Sequence, residues 1–203
     1  MIHPYIRIQH VNDEMGYGVF ATRFIPKGTI VYAKDCLEIE IKEADFSKYT
    51  PALKEQIEKY SYTDERGIRV ISWDLGKYVN HCCDCNTLST SYGFDIAIRD
   101  INEGDEMTCD YAMLNVNDEM PLLCSRPDCR GLLKPSDFEL CYLSWDKKIK
   151  SALSSFFSVT QPLISFVSQE KINEVSAFLE NTKKYKSVSE LKYRGQVPNA
   201  AQD

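Results

Sequence analysis

Tyr78-Val79-Asn80-His81-Cys82-Cys83-Asp84-Cys85-Asn86 is the stretch on which the reading of the fold turns. It crowds two asparagine amides, an imidazole and three thiols into one loop, so strong donors, acceptors and soft ligands stand side by side. The plainest use of such a loop is a satisfied turn that carries a metal-binding cysteine. A second use is recognition of a ligand's polar edge by Asn80, whose amide both donates and accepts. A third use, a cysteine nucleophile with a histidine base, fits poorly. His81 cannot easily point at its own neighbour, and the other histidines, His3 and His10, lie near the N-terminus.

Three further stretches gather around this one. Upstream, Gly16-Tyr17-Gly18-Val19-Phe20-Ala21 opens a strand with two glycines around an aromatic, which lets backbone approach a ligand closely. Its spacing is that of neither a dinucleotide fingerprint nor a phosphate loop. Downstream, Gly104-Asp105-Glu106-Met107-Thr108-Cys109-Asp110-Tyr111 reads as a turn and a strand ending in Asp-Tyr. Beyond it, Cys124-Ser125-Arg126-Pro127-Asp128-Cys129-Arg130-Gly131 sets two cysteines around a tight turn, half of a zinc site whose other ligands must come from elsewhere. The loop at 82–85 is the obvious donor.

Between these stretches the first half reads as short strands: 18–21, 29–32, 37–41, 68–73, 94–98 and 105–109. In the third of these, Leu37, Ile39 and Ile41 alternate with Glu38 and Glu40, the pattern of a half-buried strand with its glutamates outward. Thr50-Pro51 starts a helix that runs to about Tyr60. After Gly131 the character changes. Ser136 followed by Glu139 has capping-box form, a helix continues to about Phe157, and 172–179 is a further amphipathic stretch. The tail from Gln196 is expected to fray.

Composition narrows the class. The 203 residues are 43% hydrophobic and 27% charged, enough for one cored domain with a helical appendage. No apolar run spans a membrane, and the first residues lack the form of a signal peptide, so a soluble, intracellular protein is expected. Cytoplasm, nucleus and delivery into another cell all stay open. The net charge of −6 argues against direct nucleic-acid binding and suits a cationic partner such as a lysine-rich peptide. Eight cysteines in such a chain point to thiols or metal ligation rather than disulfides.

Taken together and in this order, the four stretches resemble the SET-domain family of protein-lysine methyltransferases, in the form of its compact, stand-alone bacterial members. Gly16 to Ala21 is similar to the family's glycine-x-glycine motif, and Asn80 to Asn86 to its Asn-His-x-Cys-x-x-Asn segment. Glu106 to Tyr111 is similar to its Glu-Leu-x-x-Asp-Tyr strand, and Cys124 to Gly131 to its post-SET cysteine motif. The resemblance covers roughly 5–132. It implies an α+β fold, mainly β with helices, built of several small sheets with a pseudoknot around the active site. Its parts would be a SET domain over 1–118, a post-SET cysteine segment over 119–135 and a C-terminal helical extension over 136–203.

What the resemblance implies for chemistry is methyl transfer from S-adenosylmethionine to a lysine side chain of a protein or peptide, a histone-like tail being the family's usual substrate. Tyr111 would be catalytic. Gly16, Tyr17, Gly18, Tyr78, Asn80 and His81 would surround the cofactor, and Tyr60, Tyr62 and Cys109 would line the lysine channel. Cys109 stands where the family has Phe or Tyr, and its small thiol leaves room for more than one methyl group. Leu122 stands where the family has another zinc ligand, so Cys83, Cys124 and Cys129 need a fourth thiolate, expected from Cys85. The C-terminal helices would pack over the core or form a homodimer surface. The alternative function is a catalytically inactive SET-fold module that binds a protein partner.

Overall fold

The computed structural model describes residues 1–195; the tail expected to fray from Gln196 lies outside them. The chain lays down β1 (Ile6–Asn12), β2 (Gly16–Ala21), β3 (Ile30–Ala33) and β4 (Ile39–Ile41), then the single-turn helix α1 (Glu43–Phe46) and α2 (Pro51–Tyr60). There follow β5 (Ser61–Thr63), β6 (Arg69–Ile71), β7 (Asn80–His81), β8 (Thr87–Ser89), β9 (Phe94–Ala97) and β10 (Glu106–Cys109). The hairpin β11 (Met120–Pro121) and β12 (Leu132–Leu133) brackets the second cysteine loop, and α3 (Asp137–Leu153) and α4 (Gln169–Glu180) close the fold. Thr50 caps α2 as its sequence implies, accepting from the Leu53 amide at 3.4 Å, with Pro51 at the first helical position.

The strands form small sheets, in the orders β1-β2-β10-β7, β3-β9-β8 and β4-β6-β5 beside the short hairpin. The C-terminal helices are no loose appendage. Ile30, Leu88, Phe94 and Ile96 of the β3-β9-β8 sheet share one core with Trp145, Ile149 and Leu153 of α3 and Val175 and Phe178 of α4. Each such fully buried side chain stabilises the fold by roughly 1.5–3 kcal/mol, so the helical segment is needed to cover the sheet. Asp146 fixes the final segment. Its carboxylate accepts from Tyr185 Oη (2.8 Å), Ser187 Oγ (2.7 Å) and the Val188 amide (2.9 Å).

Two local readings are corrected. Leu37 and Ile39 are exposed (59% and 51%) and the Glu38 side chain is 1% exposed, the reverse of the alternation read from sequence, while exposed Glu40 and buried Ile41 follow it. Glu38 turns inward because the Tyr32 hydroxyl bonds its carboxylate and the Met1 amino group stands 3.8 Å away. Ser136 makes no side-chain cap, because its own backbone is already helical (φ −75°, ψ −12°). Asp137 does the anchoring instead, accepting from the Lys134 amide at 3.1 Å and facing Arg130 at 3.6 Å.

Candidate active site and cysteine cluster

Strand β10 brings the motif segments together. It pairs antiparallel with β2 (Glu106↔Phe20, Met107↔Val19) and parallel with β7 (Thr108↔Asn80, Cys109↔His81). Asn86 grips its edge: the amide nitrogen donates to the Glu106 carbonyl and the oxygen accepts from the Thr108 amide, both at 2.8 Å. Thr87 Oγ1 adds a bond to the Thr108 carbonyl at 2.8 Å. The second asparagine of the loop is therefore a clamp that fixes where β10 delivers Asp110 and Tyr111.

The first asparagine faces the glycines. Asn80 Nδ2 donates to the Tyr17 carbonyl (3.1 Å) and to Glu106 Oε1 (2.8 Å), and none of the described residues donates to its Oδ1. Gly18 is glycine because of that pair: a Cβ there would lie 2.3 Å from Glu106 Oε1 and 2.9 Å from Asn80 Nδ2. Gly16 has a different reason, a left-handed backbone at φ +79° with open space around it. The Tyr17 ring, half exposed, leads to Tyr78 and then Tyr60 in edge contacts of 6.3 and 5.6 Å. Tyr60 thus groups with the glycine-side aromatics.

His81 is inside. Its Nδ1 accepts the Tyr111 amide at 3.2 Å, so the ring proton sits on Nε2, which faces Cys83 Sγ at 3.3 Å. Burial pushes its pKa down to about 4, with the Arg130 charge adding and Asp110 opposing. With both ring nitrogens engaged, only its backbone is left for a ligand. Tyr111 packs its ring 5.4 Å from His81 and donates its hydroxyl to the Val79 carbonyl at 3.0 Å. Burial, then the neighbouring Cys109 and Glu106, raise the Tyr111 pKa, so it is a neutral hydroxyl at pH 7. Asp110 is tied down by Arg130 Nη2, Trp145 Nε1 (3.1 Å) and the Ala112 amide (3.1 Å). Arg130 and Trp145 therefore couple both the cysteine segment and α3 to the Asp-Tyr turn, which no spacing in the sequence revealed.

A second group of polar residues lies on the β3-β9-β8 sheet. Tyr32, Asp95 and Ser89 stand in one cross-strand row on β3, β9 and β8. Tyr62, Asp95, Cys109 and Tyr111 are each half-buried, and burial is the largest cause of a raised pKa in all four. They are near enough to act on one another: Asp95 raises the pKa of Tyr62 and Cys109 behind the larger effect of burial, and Cys109 does the same to Tyr111. Tyr62 and Cys109 thus share Asp95 as a neighbour, while the Tyr60 ring packs on Tyr78. Asp95 and Tyr32 were missed from the sequence.

The cysteines separate as well. The Sγ atoms of Cys83, Cys124 and Cys129 all lie within 4.8 Å of one another. The His81 Nε2–H and the Arg130 amide (3.4 Å) point at Cys83 Sγ. Against the upward push of burial, the Cys83 and Arg126 amides hold the Cys124 thiol below its usual value. A soft three-thiol set with N–H donors directed at its sulfurs suits zinc. Cys85, expected as the fourth ligand, is not brought there. It is 2% exposed in the hydrophobic core, where burial pushes its thiol up to about 12. Cys82 stands beside the cluster instead, its Sγ 3.8 Å from that of Cys124.

Residues 16–112 match the family described as "SET domain". That segment is a SET domain. The chain's α+β architecture of small sheets with helices is the one that the motif order implied. Over 67 residues it is 36% identical to histone-lysine N-methyltransferase set1 of Dictyostelium discoideum, covering 30% of this chain and 4% of that protein. Over 145 residues it is 29% identical to the variant-silencing SET domain-containing protein of Plasmodium falciparum, covering 62% and 6%. The chain thus spans a small fraction of these relatives' length. The methyltransferase domain of human histone-lysine N-methyltransferase SETMAR is similar at 19% identity and a TM-score of 0.44, over 66% of this chain and 58% of that one. No helix among the described residues is long and apolar enough to cross a membrane.

Proposed function

We propose that this SET domain transfers methyl groups from S-adenosylmethionine to lysine side chains of a protein substrate, a basic histone-like tail being the kind best suited to a chain of net charge −6. The observation that carries this reading is the placement of Tyr111. Its neutral hydroxyl is bonded to the Val79 carbonyl, one residue before Asn80. S-adenosylmethionine, when bound, supplies an activated methyl group on a sulfonium. Asn80 would hold it through the free Oδ1, with the backbone of Gly16, Tyr17, Gly18 and His81 and the ring of Tyr78 around it. The Asn80 arrangement fits such a ligand: an oriented amide whose Oδ1 receives no bond from the described residues, near Gly16, which has open space on its Cβ side.

The lysine must arrive as a neutral amine to attack, and with a pKa of ~10.4 in water it is almost entirely protonated at pH 7. The channel lined by Tyr62, Cys109 and Tyr111 would lower that value by excluding water, and the Tyr111 hydroxyl and Val79 carbonyl would orient the nitrogen. Cys109 presents a small thiol, so successive methyl groups fit and products beyond the monomethyl form are expected. Cys83, Cys124 and Cys129, with Cys82 as the fourth thiolate, would hold zinc, which would lock the second cysteine loop against the SET domain. Homodimer formation through the C-terminal helices stays a proposal, and Leu140 and Leu143 are exposed on α3.

Calorimetric titration with S-adenosylmethionine tests the reading. Saturable binding that Asn80→Ala weakens about tenfold or more supports it. A folded, zinc-loaded wild type that binds none overturns it and favours a partner-binding module.

A further inference from the structure

We propose that Asp95 is the carboxylate that receives the ammonium of the incoming lysine in the channel, a role that rests on the methyl-transfer reading above. Asp95 occupies the middle of the Tyr32–Asp95–Ser89 row, on the face of β9 opposite to Phe94 and Ile96, which are buried in the core. Its surroundings come from four elements: Tyr32 on β3, Ser89 on β8, Tyr62 on β5 and Cys109 on β10, with Glu38 bonded to Tyr32 behind them. All of these are neutral or acidic.

The other deep aspartates of this protein are compensated. Asp110 has Arg130, Trp145 and an amide; Asp146 has two hydroxyls and an amide. Among the described residues, the Ser89 hydroxyl is the one hydrogen-bond donor near enough to Asp95 to favour its charged form. Among the described residues the one cation acting on it is the Met1 amino group, which is already paired with Asp35 at 2.9 Å. Burial accordingly lifts its pKa to about 6. An uncompensated carboxylate in such a place costs stability, and it is retained where a cation comes and goes. Glu38, one layer back, differs: the Tyr32 hydroxyl and the Met1 amino group serve its Oε1, and only Oε2 lacks a partner.

The chemistry explains the need. A lysine ammonium entering beside a sulfonium brings a second positive charge into a water-poor channel, and a carboxylate offsets it. Transfer of one N–H proton from the ammonium to the Asp95 carboxylate then leaves a neutral acid and a neutral amine, with charge conserved. The amine lone pair forms the new N–C bond as the C–S bond breaks and its electron pair passes to sulfur. The product is a methylammonium, again a cation, and Asp95 returns to the carboxylate by losing its proton to water.

The test uses n-butylammonium, which is the end of a lysine side chain, and the full chain labelled with ¹³C at aspartate carboxyls. The carboxyl resonance of Asp95 is followed by NMR from pH 4 to 8, with tetramethylammonium as a cation lacking N–H. The expected result is a saturable shift with n-butylammonium, a fall in the Asp95 pKa of about one unit, and roughly tenfold weaker binding in Asp95→Asn. Tetramethylammonium should act no more than potassium at equal ionic strength. A wild-type resonance that responds to n-butylammonium no more than to potassium overturns the proposal, as does equal binding by the Asn variant. The titration contains no S-adenosylmethionine, so the two readings fail separately. Amine binding without cofactor binding keeps Asp95 as a cation site and overturns methyl transfer. Cofactor binding with a silent Asp95 does the reverse.

Discussion

Gly18→Ala separates two reasons for the glycines of the first motif. The added methyl would lie 2.3 Å from Glu106 Oε1, 2.9 Å from Asn80 Nδ2 and 3.0 Å from Val11 Cγ2. Both polar atoms are ends of flexible side chains, so they swing aside without moving backbone, and what is lost is the 2.8 Å bond between them. A bond to a charged group is worth about 1.5–3 kcal/mol. In a chain of this size each kcal/mol moves Tm by about 2–4 °C, so a fall of roughly 3–12 °C is expected. The functional effect should be larger than that of a surface change, because Asn80 loses the partner that aims its Oδ1, and affinity for S-adenosylmethionine should drop about tenfold. Gly16→Ala is the control. Its Cβ meets nothing within 4 Å, and its cost is left-handed strain of about 1–2 kcal/mol that leaves Asn80 in place. Thermal melts and calorimetry on both variants check the argument. Equal loss of affinity in the two, or wild-type affinity in Gly18→Ala, would refute it.

Further outcomes follow from the same contacts. Cys82→Ser should reduce bound zinc, measured by mass spectrometry of metal content on purified protein, whereas Cys85→Ser should leave zinc unchanged and cost about 1–3 kcal/mol for a buried hydroxyl without a partner. The opposite pattern would restore Cys85 as the ligand. Trp145→Phe removes one bond to Asp110 from α3, so methyl transfer should fall with little change in cofactor affinity; unchanged turnover would show that α3 does not position the Asp-Tyr turn. Acidification has a definite sign. His3 and His81, both lowered to about 4 by burial, bind fewer protons folded than unfolded, so stability is lost as pH falls from about 6.5 to 4. Asp95, raised to about 6, binds more protons folded and offsets part of that loss between about 6 and 4. Melts of Asp95→Asn should therefore fall more steeply with acid than those of wild type, and parallel curves would contradict the assignment.

What the sequence made legible was what is written along the chain. Asn80, Asn86, Tyr111, Cys124 and Cys129 stand at informative spacings; β10 brings the segments of the first three together, and the β11–β12 hairpin brings the two cysteines to Cys83. The cap at Thr50 was legible for the same reason. What was hidden depends on register and rotation. Asp95 lies within a run that alternates as an ordinary half-buried strand, and only the register across three strands sets it in a row with Tyr32 and Ser89. Spacing also could not say which of Cys82 and Cys85 turns outward. The loop sends Cys85 into the core beside Leu88 and Trp145 and leaves Cys82 against Cys124. The inversion at Glu38 escaped because its compensation, from Tyr32 and the Met1 amino group, comes from distant parts of the chain. Arg130 and Trp145 meet at Asp110 across similar gaps.

The most direct measurement is transfer of labelled methyl from S-adenosylmethionine to lysine in core histones and a heat-inactivated total protein extract, wild type beside Tyr111→Phe. The account predicts methylated lysine, including more than the monomethyl form, from wild type. It predicts a loss of about 100-fold or more in Tyr111→Phe with cofactor affinity within about threefold. A wild type that binds the cofactor yet methylates no lysine, or a Tyr111→Phe variant as active as wild type, would contradict it.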